Sequence, residues 1–228
     1  MIVPAPLQEV PLNALDLEDH SFVFAPPGDL TFLQDSLREV GLLNPPWLRR
    51  NKNGQWQVVS GFKRVLAAAR LGWEQVTAWV LPQDTSEAHC LLIHLHDNAF
   101  KRGFNPLEQA LLASRLLSHW DRQTVVQKFL PCLGLAPSFP ILERLLALAS
   151  LEEVWQQLAA LGRLALSAAS LLAAWDPADR SLAERSEGVL SAGSGEDGII
   201  ADSAGRAKTA GLRSSLGEAP RPRSARSR

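Results

Sequence analysis

Residues 56–72 read WQVVSGFKRVLAAARLG, and the fold follows from how this stretch divides. Trp56, Val58 and Val59 are strand-formers, Gly61 can take a backbone angle other residues resist, and Val65 to Leu71 is an apolar, alanine-rich run of helical character. Gly72 stops it. The stretch is therefore expected to be a strand, a glycine turn and a helix whose first turn holds Lys63 and Arg64. Free backbone N–H groups and the positive end of the helix dipole favour an anion there, so two cations are locally out of place. A phosphate or carboxylate held by backbone donors and one or both side chains would make the placement reasonable. Two solvated basic residues beside a glycine turn are the simpler alternative.

Working upstream, Glu9 to Leu12 and Ser21 to Phe24 read as short strands, and Pro26, Pro27 and Gly28 break the chain. Asp29 is a plausible N-cap for a helix marked by Leu30, Leu33, Leu37 and Val40 and stopped at Gly41. Trp47 to Arg50 and Trp56 to Val59 form a hairpin around Asn53-Gly54. Downstream, Gln75 to Leu81 reads as a strand, and from Thr85 the pattern turns helical: 86–99, 106–120 and 121–133, then 141–149, 151–161 and 166–175. Asn105, Pro106 and Glu108 supply cap, first helical position and capping-box acid.

Strands early and helices late predict an α+β architecture: a sheet-containing domain over 1–104, an all-helical domain over 105–185, and a disordered basic tail over 186–228. The net charge of −1 hides an asymmetry, because residues 203–228 hold seven basic residues and one acid. Residues 1–202 hold 16 basic and 23 acidic residues, a net charge of −7, which argues against a general DNA-coating surface and leaves only a local patch for nucleic acid. The N-terminus has no signal-peptide pattern and no apolar run spans a membrane, so a cytoplasmic location without membrane contact is expected. Cys90 and Cys132, the only cysteines, are expected to be buried thiols, with the Cys90 pKa raised rather than lowered.

Three segments together resemble a known family. SGFKRVLAAARLGWEQVTAWV, from Ser60, is similar to the GERRLRAA…LG…VPVIV segment in the N-terminal domain of the chromosome-partitioning protein ParB and its relatives, a fold shared with sulfiredoxin. HDNAFKRGFNPLEQA resembles the family's ENLQREDLNPIEEA at the same spacing, with Asp97, Asn98, Asn105, Pro106 and Glu108 in register. LQDSLREVGLLNPPWLRR resembles the helix and strand that precede the first motif. In the family the first motif binds nucleotide phosphates, and several members bind and hydrolyse CTP as a clamp-closing switch.

The resemblance implies a mixed sheet in the first domain and an anion cradle of Gly61, Lys63, Arg64, Asn98 and Lys101; Arg64 is expected to be exposed. Phe62 replaces the family glutamate and can neither hold a metal nor orient a water, which leaves Asp97 as the candidate catalytic carboxylate. CTP or another nucleotide is the implied cofactor, with Mg2+ if it is hydrolysed. The later helices resemble the family's helix-turn-helix region, with Ile141, Leu142, Leu145 and Leu146 on the helix at or near the recognition position. Ser138, Glu143 and Arg144 are nearly all that helix offers to DNA, so Ser138 and Arg144 are the candidate DNA contacts and a protein-contact role is the alternative. DNA, a protein partner and a second copy of the chain are the expected partners.

Other constellations stay open at this stage. Cys90, His94 and Asp97 share one helix face at metal-ligand spacing, but ligands spread along a single helix rarely close around one ion, and no metal site is assigned. Trp47, Trp56, Trp73 and Trp79 read as core or bracing residues more readily than as base-stacking platforms. A phosphotransferase acting on a small molecule such as free serine, with Asp97 as base, and an adaptor binding neither nucleotide nor DNA are the competing functions. No cysteine occupies the Ser60-Gly61-Phe62-Lys63 turn, so sulfiredoxin chemistry has no nucleophile there.

Overall fold

The structure is a computed structural model that describes residues 5–24, 26–51, 54–99, 103–176, 178 and 180, together with a short strand pair at Ile200–Ala201 and Ala207–Lys208. The chain divides into two compact units, 1–103 and 104–228. No described helix is long and apolar enough to cross a membrane. The turn at Asn53, Lys101 and nearly all of the 186–228 tail lie outside the described residues.

The first unit is built on a four-stranded mixed sheet. Strands β1 (Leu7–Pro11), β2 (Trp47–Arg50), β3 (Trp56–Ser60) and β4 (Gln75–Val80) lie in the order β1-β4-β2-β3. β1 pairs antiparallel with β4, β4 parallel with β2, and β2 antiparallel with β3, with a register shift at Trp47/Leu48. Val10, Leu48, Val58, Val76 and Ala78 pack with Leu37 of α1 (Thr31–Val40) and Val65, Ala67 and Ala68 of α2 (Phe62–Arg70). The two alanines are fully buried and let α2 lie close to the sheet. Gly72 (φ +75°) ends this helix as expected: its N–H and that of Trp73 donate back to Ala69 O and Ala68 O, satisfying carbonyls that would otherwise be orphaned.

Helix α3 (Glu87–Ala99) packs against β3 and buries Cys90, Leu91, His94 and Leu95. Burial pushes the Cys90 thiol up to about 11, against a smaller opposing pull from the Arg49 charge. The tryptophans brace the sheet rather than fill its centre. Trp47 and Trp79 stack at 5.8 Å on paired strands, Trp56 carries Arg50 over its ring at 4.1 Å, and Trp56 and Trp73 pack against the core edge.

Two expectations fail here. Ser21 to Phe24 is a turn, not a strand: Phe22 and Phe24 are buried two residues apart, which imitates strand alternation, but both act as anchors for a loop. Phe24 meets His94 edge-on at 4.9 Å and Phe22 lies under Arg49 at 5.4 Å. Asp29 caps α1 from one position further out than expected, accepting from both the N–H and the hydroxyl of Thr31.

The second unit is helical over 106–173, beside the short strand pair already named: α4 (Pro106–Leu116), α5 (Arg122–Thr124), a π-helical turn (Val125–Phe129), α6 (Leu130–Cys132), α7 (Phe139–Ala149), α8 (Glu153–Ala160) and α9 (Leu166–Ala173). Asn105 and Glu108 close a reciprocal capping box on α4, which ends at Leu116 rather than at Trp120. The single helix expected over 121–133 starts on an Asp121 cap but is not regular. Pro131 has no N–H to donate, the preceding turn widens to π geometry, and the run stops at Cys132 before Gly134 (φ +79°). Cys132 is half-buried, not buried as expected, because the shortened helix leaves it at its end. Leu142, Leu145 and Leu148 of α7 and Trp155 of α8 form the core.

Candidate functional site

At the end of β3 the chain must turn sharply into α2, and Gly61 makes the turn at φ +94°, ψ +20°. A Cβ there would strain the backbone and would also lie 2.9 Å from both the Arg64 Nη2 and the Pro46 Cβ. Only glycine fits. The helix that follows has no side-chain cap and no acidic residue in its first turn. Its first intrahelical donor is the Arg64 N–H, to Gly61 O at 2.9 Å, so the Phe62 and Lys63 N–H groups have no intrahelical acceptor and the positive end of the dipole is unopposed.

Arg64 folds back over this bend. Its Nη1 donates to the carbonyls of Asn44 and Pro45, and its Nη2 to Asp97 Oδ2 at 3.2 Å. The same carboxylate oxygen accepts from the Ser60 hydroxyl at 2.7 Å. Asn98 Nδ2 donates to His94 O at 2.8 Å and to Ser60 Oγ at 3.3 Å, while His94 Nδ1 bonds Val59 O at 2.9 Å. The last turns of α3 are thus fastened to the last residues of β3. Arg64 and Asp97 side chains are 17% and 11% exposed, so the expectation of an exposed Arg64 is wrong: three acceptors draw the guanidinium inward. Burial lowers the Arg64 pKa and Asp97 opposes that shift; the guanidinium stays charged.

Gly61, Arg64, Asp97 and Asn98 therefore meet in one cluster, across 37 positions of chain. Lys63 shares the turn but not the cluster. It is half-exposed and makes no ion pair among the described residues, which leaves its ammonium available. Lys101 lies outside the described residues. Phe62 meets His20 edge-on at 5.6 Å, so the position of the family glutamate is taken into an aromatic contact.

A second polar relay holds the loop that carries His20. Gln57 Nε2 donates to Asp19 Oδ2 and Arg49 Nε to Gln57 Oε1, both at 2.6 Å, while Arg49 Nη1 donates to Thr85 O at 2.9 Å. Burial opposes ionisation of Asp19, but hydrogen bonds from Ser21 and Gln57 and the Arg49 charge outweigh it and hold the carboxyl below its usual range. Sequence reasoning missed this relay. The signal was a buried glutamine directly across the hairpin from an arginine, in strands otherwise rich in apolar residues.

Cys90, His94 and Asp97 do not gather around an ion, and no group of three His, Cys, Asp or Glu able to hold a metal occurs among the described residues. In the second unit, Ser138 precedes α7 without capping it and Arg144 is exposed. Glu143 beside it pairs with Arg122, and residues 104–176 hold five basic and six acidic residues. Six residues separate α6 from α7, where a helix-turn-helix is typically joined by about three or four.

Residues 6–99 match the family model of the ParB N-terminal domain. Over 90 residues the chain is 39% identical to a probable plasmid-partitioning protein ParB of Thermus thermophilus, covering 40% of this chain and 29% of that one. Over 138 residues it is 34% identical to the stage 0 sporulation protein J of Bacillus subtilis, covering 60% and 46%. The chain thus spans less than half the length of either relative. A solved Pnob8-like ParB-N domain shares the fold at TM-score 0.52 and 12% identity, covering 84% of this chain and 85% of that one. Residues 6–99 of this chain belong to the ParB N-terminal domain family.

Proposed function

We propose that the chain is a ParB-like partition protein whose first unit receives the phosphates of a nucleotide at the start of α2. The observation that carries this reading is the uncapped helix start behind Gly61, flanked by an unpaired Lys63 and backed by the Arg64–Asp97–Ser60 cluster. In this arrangement the Phe62 and Lys63 N–H groups and the Lys63 ammonium take the anion. Arg64 adds charge from behind and holds the bend. The family resemblance favours CTP. The site is degenerate for hydrolysis in this reading, because Phe62 packs on His20 and brings no carboxylate, and Asp97 already accepts from Ser60 and Arg64 through Oδ2.

Titration with CTP, ATP and ADP, followed by intrinsic tryptophan fluorescence, tests this. A saturable response that Lys63→Ala weakens supports the site; no response to any nucleotide overturns it and leaves the adaptor reading. Turnover of a small hydroxyl substrate with nucleotide would favour the phosphotransferase reading instead.

For the second unit, the near-neutral charge of 104–176 and the paired Glu143 favour a protein-contact or non-specific role over base reading by α7. A gel shift on fragments of the protein's own locus at rising salt separates the two. Sequence preference that survives salt supports site-specific binding; a smear lost with salt does not.

A further inference from the structure

A phosphate chain that binds together with Mg2+ needs acidic side chains beside it, because the ion demands octahedral oxygen coordination and is held by carboxylates as well as by the phosphate oxygens. The start of α2 supplies cations instead. No acidic residue stands in its first turn, Lys63 and Arg64 follow Phe62 there, and exposed His20 lies edge-on against Phe62 at 5.6 Å. Asp97 brings a carboxylate to the bend, but its Oδ2 accepts from Ser60 and from Arg64 Nη2, the latter at 3.2 Å, and that guanidinium repels a metal ion approaching the same oxygen. The acids before His20 are held further back along β3. Asp16 donates its N–H to Trp56 O, and Asp19 accepts from Gln57 Nε2, Gln57 being three residues and about 10 Å from Ser60 at strand rise. Glu18 is exposed in the same loop.

We infer that this site takes its nucleotide as the metal-free anion, and that Mg2+ competes with the protein for the phosphates instead of bridging them to it. The inference rests on the nucleotide reading above and adds to it the charge state of the ligand. Magnesium does not fit the residues at the bend as a companion of the phosphates. An ion on the phosphate chain neutralises part of the negative charge that the Lys63 ammonium, the Phe62 and Lys63 N–H groups and the end of the α2 dipole attract. A carboxylate at position 62 would act in the opposite sense, repelling the bare phosphates and holding the ion that joins them to the protein. Phe62 removes both effects, and its contact with His20 sets an imidazole beside the same helix start.

Titration of the full chain with CTP, followed by tryptophan fluorescence in EDTA and again in excess Mg2+ at matched ionic strength, tests this. The expected result is saturable binding in EDTA that Mg2+ weakens by about tenfold, the scale of one charge-assisted hydrogen bond. Phe62→Glu should invert the order and bind CTP more tightly with Mg2+ than without, whereas Phe62→Gln, similar in shape but uncharged, should not; circular dichroism checks that both fold. If Phe62→Glu does not fold, the unaltered chain decides alone. Binding by the unaltered chain that requires Mg2+, is tightened by it or is equal in the two buffers overturns the inference and leaves the nucleotide reading standing, as does a folded Phe62→Glu that Mg2+ still weakens. No response to CTP in either buffer removes the nucleotide reading and the inference together.

Discussion

Helices α2 and α7 begin alike in different surroundings. Each opens on a phenylalanine, Phe62 or Phe139, and neither has a side-chain cap. Behind α2 stand a left-handed glycine, a buried guanidinium and a carboxylate from another helix; behind α7 stands half-exposed Ser138, and α7 itself carries a paired Glu143 and one exposed arginine. The lesson is that an uncapped helix start is only a potential anion site. On the proposed reading, what makes it one is positive charge held in place by neighbours that are themselves fixed, and of these two helices α2 has that.

The strongest way to break this comparison is Arg64→Ala. Removing one member of a largely buried ion pair leaves Asp97 uncompensated, so the first unit should lose about 2–4 kcal/mol in urea unfolding as well as its nucleotide response. A loss below about 0.5 kcal/mol, the range of ordinary surface substitutions, would mean the guanidinium braces nothing. Gly61→Ala follows, with an expected cost of about 2–3 kcal/mol from left-handed backbone and the close approach to Pro46 and Arg64.

Cysteine chemistry sharpens the same contrast. Cys90 is raised from 9.0 to about 11 in the fold, so the unfolded chain ionises first and the stability this thiol confers is complete below pH 9 and lost as pH rises through 11. A thiol reagent at pH 8 should label Cys132 and spare Cys90; equal labelling would show α3 parted from β3. Lys63→Ala should leave stability within about 0.5 kcal/mol and weaken nucleotide binding about tenfold, the scale of one charge-assisted hydrogen bond. Arg144→Ala should change DNA retention least, by less than about threefold, because one exposed cation among balanced charges contributes little.

The fold of the first unit was legible because its signals are local: strand-formers before Gly61, helical spacing from Val65, Gly72 after it. The meeting of Gly61 with Asp97 and Asn98 was legible only through family resemblance, since nothing in the intervening 35 residues states that α3 returns to β3. Arg64 was read as exposed because its burial depends on the carbonyls of Asn44 and Pro45, which carry no side-chain signature. Phe22 and Phe24 misled because burial at every second residue marks a strand only when a ladder partner exists. The irregular helix at 122–132 had a visible cause in Pro131, whose effect is to widen the preceding turn rather than end the helix at once.

Backbone amide chemical shifts, followed residue by residue as CTP is added, test the central claim most directly. The account predicts large shifts confined to Gly61, Phe62, Lys63 and Arg64 and the last turn of α3, with α7 unmoved. Shifts centred on α7, or none at the Gly61 bend at saturating nucleotide, would contradict it.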